Sequence, residues 1–168
     1  MKIRKATKSD IAEITEIYQK ARVYMFEHGN PNQWNNAYPS EETVVTDIKN
    51  ETSYLLEEDG VIQGVFVFVI GKEPTYQQIE QGAWNFDRPY GTIHRIASAG
   101  KIRGIAKASF DFCTKQIDYL RIDTHKDNKT MQTAIKNYGF MYCGIIHVSN
   151  GERLAFDYIN TRNSKYRL

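Results

Sequence analysis

The chain of 168 residues has little cysteine, almost no net charge and no long hydrophobic run. Its two cysteines, Cys113 and Cys143, have neither metal-ligand spacing nor the number that a disulfide framework needs, which favours a reducing cytoplasm. The net charge of +2 comes from 22 basic and 20 acidic residues, and the basic ones are scattered. No apolar run of about 18 residues predicts a membrane span, and no signal peptide is recognisable. We therefore expect no metal, no nucleic acid and no membrane as a partner.

The chain has instead the apolar content of a folded α/β domain. Apolar residues make up 41% of the sequence and aromatic residues 12%, enough for one compact domain with a substantial core. We expect this domain to cover residues 1–160 and a polar tail to cover residues 161–168. Periodicity and turn residues predict the following elements: a strand at 2–5, helices from Thr7 to near Gly29 and from Ser40 to about Lys49, strands at 54–57, 61–70 and from Thr92, a helix at 101–116, a strand at 119–123, a helix at 128–137, and strands near 140–148 and 152–159.

Turns and aromatic loops complete this outline. Glu58-Asp-Gly60 and Ser149-Asn-Gly151 each predict a hairpin between two strands. The run at 61–70 is apolar except for Gln63, which is typical of a central strand covered on both faces. The segments at 30–39 and 72–91 are predicted loops with several large aromatics, which ordinary solvated loops rarely carry. The second of these loops is therefore interpreted as a substrate-side loop.

A strand followed by a glycine-containing loop predicts a site for a phosphorylated ligand. Thr92 to Ser98 forms the strand, and Ala99-Gly-Lys-Ile-Arg-Gly-Ile-Ala106 leads into the next helix. Glycine lets backbone amides approach an anion, and the helix dipole together with nearby cations favours negative charge. The same glycines also suit a simple turn, so the loop by itself supports either interpretation. It lacks the Gly-Lys-Ser/Thr ending of a nucleotide-binding P-loop and the glycine spacing of a dinucleotide site.

Two motifs occur together in the second half of the chain. The pattern K-x-x-G-x-A lies at Lys101, Gly104 and Ala106, and Asn128-x-x-Met-x-x-Ala-Ile-x-x-x-Gly-Phe140 follows the next strand. In this joint spacing, and in the order of its elements, the chain resembles the GNAT superfamily of acyl-CoA-dependent N-acyltransferases over nearly its whole length. The superfamily motif usually begins with Gln or Arg, so Lys101 is a conservative departure.

The resemblance implies a fold, a co-substrate and a binding site. The fold is α/β (α+β mixed), one domain with a splayed mixed central sheet of about seven strands flanked by about four helices. The co-substrate is acetyl-CoA, with its thioester between the strands that end at Ser98 and Thr124. Amides of the loop would bind the pyrophosphate, whereas strand backbone and an asparagine would contact the pantetheine arm. The implied cofactor-binding residues are Ile96, Ser98, Lys101, Ile102, Arg103, Gly104, Ile105, Ala106, Lys107 and Asn128.

The usual general acid of the superfamily is missing. Many members place a tyrosine four residues before the glycine of Gly-Phe, where its phenol protonates the leaving thiolate, but this chain has Ile135 there. Tyr138 lies three residues further on and, at about 100° per residue, points to another side of the helix. We therefore interpret Tyr138 as a packing residue.

Acyl transfer to an amine needs a base, because only the neutral amine attacks the thioester. The candidates are His94 on the strand before the loop, and Asp123 and His125 at the end of the next strand, where open α/β sheets collect ligands. Each has a structural alternative, such as a surface position for His94 or an ion pair of Asp123 with Arg95 or Arg121.

The acceptor pocket is expected on the two aromatic loops. Its candidate residues are Trp34, Tyr38, Trp84 and Tyr90, which either shape a pocket for an amine or seal the core. Arg95 is a candidate anchor for a substrate carboxylate or, alternatively, a salt-bridge residue. Cys113 and Cys143 have no activating partner in the sequence, so an acyl-cysteine intermediate is not expected.

The sequence as a whole predicts a cytoplasmic N-acetyltransferase. It would move an acetyl group from acetyl-CoA directly to a small-molecule amine or a peptide amine, and a homodimer is left open. The main alternative is a GNAT-fold sensor or regulator that binds acyl-CoA with little turnover, because fold does not establish activity. A third alternative, an unrelated α/β module for another phosphorylated ligand, requires that the glycine loop be accidental.

Overall fold

The structure is a computed structural model that describes residues 1–35 and 37–162. Residues 163–168 of the predicted tail, and Asn36 of the first aromatic loop, lie outside the described residues. The described part has seven strands and four α-helices: β1 (Lys2–Lys5), α1 (Ile11–Glu27), α2 (Glu41–Lys49), β2 (Ser53–Glu58), β3 (Val61–Ile70), β4 (Gly91–Ser98), α3 (Ile105–Gln116), β5 (Tyr119–Thr124), α4 (Lys129–Tyr138), β6 (Met141–Val148) and β7 (Gly151–Ile159). None of the helices in this described part is both long and apolar enough to span a bilayer.

The seven strands form one mixed sheet in the order β1-β2-β3-β4-β5-β7-β6. Strands β4 and β5 are parallel, whereas β1 with β2, β2 with β3, β5 with β7 and β6 with β7 are antiparallel. The register of β4 with β5 joins Gly91–Ile93 to Leu120–Ile122, although β4 continues to Ser98 and β5 to Thr124. The predicted α/β class, with a mixed sheet of seven strands and four helices, is confirmed.

Internal contacts divide the chain into two compact units, the first of which contains Met1–Phe68 and His94–Ser109. On α1 the apolar residues Ile14, Ile17 and Tyr18 have the spacing of one helix face, and all three are buried. They pack in one cluster with α2 and the strands of this unit, through Val44, Leu55, Ile62, Val65 and Ala97. Burial of this face stabilises the helices on the strands of the first unit.

The second unit contains Val69–Ile93 and Phe110–Leu168, and its apolar cluster is rich in tyrosine. The buried residues of this cluster are Tyr76, Tyr90, Tyr119, Ile146 and Ala155. The loop between β3 and β4 supplies two of these tyrosines, and Glu80 pairs with Ile145 of β6 through two backbone hydrogen bonds of 2.8 Å. The predicted substrate-side loop is thus an ordered part of this unit.

Local turn chemistry follows the sequence closely. Asp59 and Gly60 between β2 and β3 both have positive φ, 52° and 76°, as a tight hairpin turn requires. Helix α4 begins after Asn128, whose side chain accepts a hydrogen bond from the Met131 amide at 3.0 Å, and ends at Gly139 with φ 112°. These turns and caps confirm the predicted hairpin between β2 and β3 and the predicted position of α4.

The start of α3 differs from the sequence-based prediction. The helix begins at Ile105, not at residue 101. Gly100 and Gly104 have φ of 79° and 89°, so the backbone turns into the left-handed region twice before the helix can start. Residues 101–104 consequently lie in a loop that precedes the helix.

Candidate functional site

The glycine loop of the first unit presents cations and the N-terminal amides of α3. Lys101, Arg103 and Lys107 are exposed, and the first intrahelical hydrogen bond runs from the Ala108 amide to the Gly104 carbonyl at 2.9 Å. The backbone N–H groups of the first helical turn have no intrahelical acceptor, and they carry the positive end of the helix dipole. The arrangement suits an anionic group such as a pyrophosphate.

Gly64 on β3 sets how closely α3 approaches the strands. A Cβ atom at this position would lie 2.7 Å from Ile105 Cγ2 and 2.9 Å from the Ala97 carbonyl oxygen. Only glycine leaves room for the first residue of α3 above β3 and β4. Gly64 therefore fixes the position of the helix start that follows the loop.

Strand β4 leads directly into this loop. The Ser98 hydroxyl accepts a hydrogen bond from the Gly100 amide at 3.0 Å, and the Ala99 amide donates to the Gln63 carbonyl at 2.8 Å. Ile96 and Ser98 are both half-buried. The Ser98 side chain thus shapes the turn into the loop, a role that the sequence did not indicate.

Arg95 forms a buried salt bridge with Asp47 of α2. Its Nη2 lies 2.7 Å from Asp47 Oδ1, its Nε lies 3.1 Å from Oδ2, and its Nη1 donates to the Tyr38 hydroxyl at 2.8 Å. Burial raises the pKa of Asp47 against the opposing effect of Arg95. Of the two alternatives for Arg95, the structure shows the salt bridge, and its partner is Asp47 rather than Asp123.

The two aromatic candidates of the first unit lie together. The ring of Trp34 makes edge contacts with Tyr18 at 5.5 Å and with Tyr38 at 6.2 Å between centroids. Trp34 is half-buried against the apolar cluster of this unit, so part of its surface serves the core. Arg22 holds the loop by donating to the Tyr38 and Pro39 carbonyls at 3.2 Å.

The three candidate bases have different surroundings. His94 is half-buried on β4 of the first unit. Asp123 accepts a hydrogen bond of 2.6 Å from the Tyr76 hydroxyl, whose own pKa is raised by burial and by this carboxylate. In His125, Nδ1 accepts from the Asp127 amide at 3.1 Å, and burial lowers the pKa of the ring. A neutral ring in this arrangement carries its proton on Nε2, which disfavours His125 as the base.

Arg121 occupies the centre of the aromatic group in the second unit. Its Cζ atom lies 4.3 Å from the Trp84 ring centroid and 4.0 Å from that of Tyr90. Trp84 is fixed by a hydrogen bond of 3.0 Å from its indole nitrogen to the Tyr76 carbonyl. These residues line a cavity of about 700 Å³ within this unit.

Tyr138 packs in an aromatic cluster with Phe110, Phe140 and Tyr158. Its hydroxyl donates to Asp111 at 2.9 Å, and burial raises its pKa to about 12. Ile135, at the position of the usual general acid, is fully buried. These contacts support the interpretation of Tyr138 as a packing residue.

Asn128, Cys113 and Cys143 have structural surroundings. The side-chain oxygen of Asn128 caps α4, so the predicted pantetheine contact remains a prediction. Both cysteines are free and buried, and burial raises the pKa of each thiol, that of Cys143 to about 12. A thiol with so high a pKa is a poor nucleophile at neutral pH. No group of three or more His, Cys, Asp or Glu side chains in residues 1–35 and 37–162 is placed to hold a metal ion.

Three contributors to these sites were missed by the sequence analysis. Asp47 lies on the same helix face as the buried Val44, three residues apart, which is an unusual place for a carboxylate. Gly64 interrupts an otherwise large apolar strand, the usual sign of close backbone approach. Asp157 is buried on β7 and accepts hydrogen bonds from Tyr119 and from Asn85. The position of Asp157 among the apolar residues of β7 was the only sequence feature that indicated its burial.

No protein-family model matches the chain, and no curated protein matches it. Solved structures do. An acetyltransferase of the GNAT family from Streptococcus agalactiae is 30% identical, with 95% of each chain covered and a TM-score of 0.87. A GNAT-family acetyltransferase from Listeria monocytogenes is 18% identical, with 95% of this chain and 94% of that one covered and a TM-score of 0.68.

A third similar structure has a ligand. It is a phosphinothricin acetyltransferase of the GNAT superfamily from Sinorhizobium meliloti in complex with acetyl-CoA, 15% identical, covering 99% of this chain and 91% of that one at a TM-score of 0.65. An identity of 15% shows similarity of the fold alone. The identity of 30% to the Streptococcus agalactiae protein extends over 95% of each chain and shows the family. The loop before α3 and the capped α4 carry the two motifs that resemble the GNAT superfamily, and the similarity to the Streptococcus agalactiae protein agrees with them. The chain belongs to the GNAT family of acetyltransferases.

Proposed function

We propose that the protein transfers an acetyl group from acetyl-CoA directly to an amine. The observation that carries this proposal is the glycine loop, where exposed Lys101 and Arg103 precede the backbone amides of the α3 N-terminus. Acetyl-CoA bound to the similar Sinorhizobium meliloti enzyme supports the choice of co-substrate. The CoA pyrophosphate would bind to the loop amides, and the adenosine side of CoA would lie among the exposed cations.

The chemistry requires little from side chains. The neutral amine attacks the thioester carbonyl carbon, the C–S bond breaks, and the electron pair leaves with the CoA sulfur while the amine nitrogen loses a proton. A thiol ionises near pKa ~8.5, so the leaving group needs little protonation. The protein contributes mainly by positioning the amine and by polarising the carbonyl with backbone donors.

His94 and Asp123 are the candidate bases for this reaction. His125 is the weakest of the three sequence-based candidates, because its Nδ1 already accepts from the backbone. Asp123 is oriented by the Tyr76 hydroxyl, which leaves its second oxygen for another donor. Separate Asn and Gln replacements of Asp123 and His94, assayed across pH, would assign the base by the loss of one limb of the pH profile.

A binding experiment tests the CoA site without relying on turnover. We expect CoA to raise the melting temperature of the wild type and to have no effect on Arg103→Glu or Gly104→Val. Gly29→Val is the matched control, because Gly29 has a similar positive φ of 78° and open space around it, but lies at the end of α1. A CoA-induced rise that persists in both loop variants would refute the assignment of the loop.

The alternative is a GNAT-fold sensor that binds acyl-CoA with little turnover. One observation favours it, namely that the usual position of the general acid holds the buried Ile135. Single-turnover release of free thiol with a panel of amines separates the two functions. An enzyme releases thiol in proportion to an added amine, whereas a sensor retains acetyl-CoA with every amine.

The setting of the protein follows from the same proposal. We propose that residues 1–160 act as one acyltransferase domain in the cytoplasm, where the free thiols of Cys113 and Cys143 would stay reduced. Sedimentation at several concentrations, with and without CoA, would decide between a monomer and a homodimer.

A further inference from the structure

The cavity of the second unit has the size and walls of a small-molecule site. Its volume is about 700 Å³, within the range that binds small ligands. Tyr76, Trp84 and Tyr90 supply aromatic walls, and Arg121 lines the same space. Two walls are rigid, because the Tyr90 hydroxyl accepts from the Glu73 amide at 2.8 Å and the Trp84 indole donates to the Tyr76 carbonyl. Such a cavity is prepared for a ligand rather than created by one.

The Arg121 guanidinium is buried against two rings. The residue is 6% exposed, and Trp84 and Tyr90 lie 4.3 and 4.0 Å from its Cζ atom. Contacts with ring faces attract the cation but accept no hydrogen bond from its N–H groups. Because the rings pack against the guanidinium carbon, a ligand would meet this group through its N–H groups.

Some of the N–H groups of Arg121 have no partner in the described part of the chain. Nε donates to the Tyr119 hydroxyl at 3.3 Å, and Nη2 donates to the Phe86 carbonyl at 2.9 Å. Within residues 1–35 and 37–162, the Arg121 side chain donates only these two hydrogen bonds. No carboxylate in this part of the chain lies within 4.0 Å of the guanidinium. One N–H of Nη2 and both of Nη1 remain, and together they form a fork that matches a carboxylate.

The protein fixes this guanidinium without neutralising it directly. Asp157 accepts from the Tyr119 hydroxyl at 2.7 Å and from Asn85 at 2.8 and 2.9 Å. It reaches Arg121 only through Tyr119, whose oxygen is thereby turned toward Nε. A buried charge without a direct counter-ion destabilises a fold, so a ligand that supplies one gains binding energy.

The other charged residues at the cavity do not fill this role. Arg88 is already paired with Asp118 at 2.8 Å. Lys72 and Asp87 are exposed and of opposite sign. The unmatched charge of the cavity is therefore that of Arg121.

We propose that this fork binds a carboxylate of the acceptor, so that the acceptor is an amine of the amino-acid class. The proposal rests on the proposed acetyl transfer and names its substrate class. A guanidinium edge binds a planar carboxylate through two parallel N–H···O bonds, and the single unmatched charge of Arg121 equals that of one carboxylate. Asp123 lies two residues further on the same face of β5, roughly 7 Å along the strand. That spacing places an amine only a few bonds from the carboxylate within reach of a candidate base.

Matched substrates test the proposal on the wild-type protein alone. L-α-amino acids are compared with their own carboxamides, which keep the side chain and the amine but lose the charge. The carboxamide amine is less basic, so more of it is neutral, and this bias works against the proposal. We expect kcat/KM for the acid to exceed that for the carboxamide at least tenfold with the preferred amino acid.

Three arginine variants test whether Arg121 causes the preference for the acid. Arg121→Gln should reduce the ratio of acid to carboxamide to within about threefold of unity, chiefly through the acceptor KM. Arg88→Gln removes a cation from the same cavity, but one already neutralised by Asp118, and should keep the wild-type ratio. Arg121→Lys keeps the charge without the planar fork and should recover only part of the preference.

Binding without turnover separates this inference from the proposed function. In Trp34→Phe, Trp84 is the single tryptophan, and its emission reports directly on the cavity. Saturable quenching by the amino acid at concentrations where its carboxamide has no effect supports the carboxylate site, even if no amine is acetylated. Acetyl transfer that does not distinguish acid from carboxamide overturns the inference and leaves the proposed function standing. Equal quenching by both compounds overturns it as well.

Discussion

Arg95 of the first unit and Arg121 of the second are both largely buried, yet the protein surrounds them differently. Arg95 meets the carboxylate of Asp47 with Nε and Nη2 and the Tyr38 hydroxyl with Nη1, so its hydrogen-bonding edge is occupied. Arg121 rests against Trp84 and Tyr90 and has part of its fork unpaired. The guanidinium of Arg95 is therefore paired within the fold, whereas that of Arg121 keeps N–H groups that we propose bind a ligand.

The difference also has a backbone side. Arg95 has φ 49°, in the left-handed region that is rare for a residue with a side chain, in the middle of β4. A local conformation of this kind persists when surrounding contacts over-determine it, and the salt bridge to Asp47 supplies such contacts. Arg121 lies in regular strand paired with Asp157 of β7. We infer that Arg95 serves the geometry of its strand and Arg121 the chemistry of its cavity.

The strongest test compares Arg95→Met with Arg121→Met. Removing Arg95 leaves the buried carboxylate of Asp47 without its partner, which should lower the free energy of unfolding by about 3 to 5 kcal/mol. Removing Arg121 orphans no direct carboxylate partner, so the loss should be about 1 kcal/mol or less. Chemical denaturation of both variants without ligand measures the difference. Equal losses of unfolding free energy would show that both arginines are structural, which would contradict the proposed difference between them.

A second test concerns the support beneath the glycine loop of the first unit. Gly64→Ala places a Cβ 2.7 Å from Ile105 Cγ2, which should destabilise the protein by about 1 to 3 kcal/mol and weaken CoA binding. Gly100→Ala is the control, because its φ of 79° is strained for alanine but the space around it is open, so roughly 1 kcal/mol is expected. If Gly64→Ala keeps wild-type stability and CoA affinity, α3 does not depend on this contact.

A third arginine, Arg4, is paired with the carboxylate of Asp10 and provides a test by pH. Hydrogen bonds from Arg4 to Asp10, helped by the Thr7 amide and opposed by burial, lower the pKa of Asp10 to about 2. A depressed carboxyl pKa stabilises the folded state above the unfolded value near 3.9, and this stabilisation is lost as the pH falls toward about 2. Because Arg4 is partly exposed, we expect Asp10→Asn to lower the free energy of unfolding by about 1 to 2 kcal/mol at pH 7.

The pH dependence is the decisive part of that experiment. The difference between wild type and Asp10→Asn should shrink as the pH is lowered from about 4 to about 2, because the wild-type carboxyl then becomes protonated. Denaturant unfolding at each pH measures it, and other acid-titrating groups cancel in the difference. A gap that stays constant down to pH 2 would contradict the assigned role of the Arg4 contact.

The smallest effect is expected at Tyr138. Its hydroxyl donates to Asp111 and its ring packs with Phe110, Phe140 and Tyr158, so Tyr138→Phe loses one hydrogen bond and keeps the ring. Turnover should fall less than about tenfold, below the usual effect of removing a general acid. A thousandfold loss of kcat with unchanged melting temperature would instead make this tyrosine the acid, in spite of its contact with Asp111.

Local features were predictable because they depend on neighbours in the chain. The hairpin at Asp59-Gly60 needs positive φ at two consecutive residues, and the end of α4 needs it at Gly139. The apolar run of β3 likewise indicated a strand buried on both faces, and Ile62 to Phe68 are buried. The start of α3 was predicted four residues too early, because the helix pattern does not reveal that Gly104 turns into the left-handed region.

Side-chain roles were less predictable, because partners lie far apart in the sequence. Arg95 was paired provisionally with Asp123, two strand ends of the same motif, but Asp47 is 48 residues away in α2. The sequence made His125 a candidate base, but in the structure its Nδ1 already accepts a hydrogen bond from the Asp127 amide. Trp34 and Tyr38 lie in one aromatic group and Trp84 and Tyr90 in another, so the joint acceptor pocket remains a prediction.

The sequence by itself determined the order of elements, the glycine loop before α3, the capped α4 and, through their joint spacing, the resemblance to the GNAT superfamily. These features depend on backbone propensity and on residues a few positions apart. Only the tertiary structure decided which arginine is neutralised and which faces a cavity. That outcome depends on desolvation and on the meeting of groups from separate strands, helices and loops, such as Asp47 with Arg95 and Trp84 with Arg121, which no local pattern encodes.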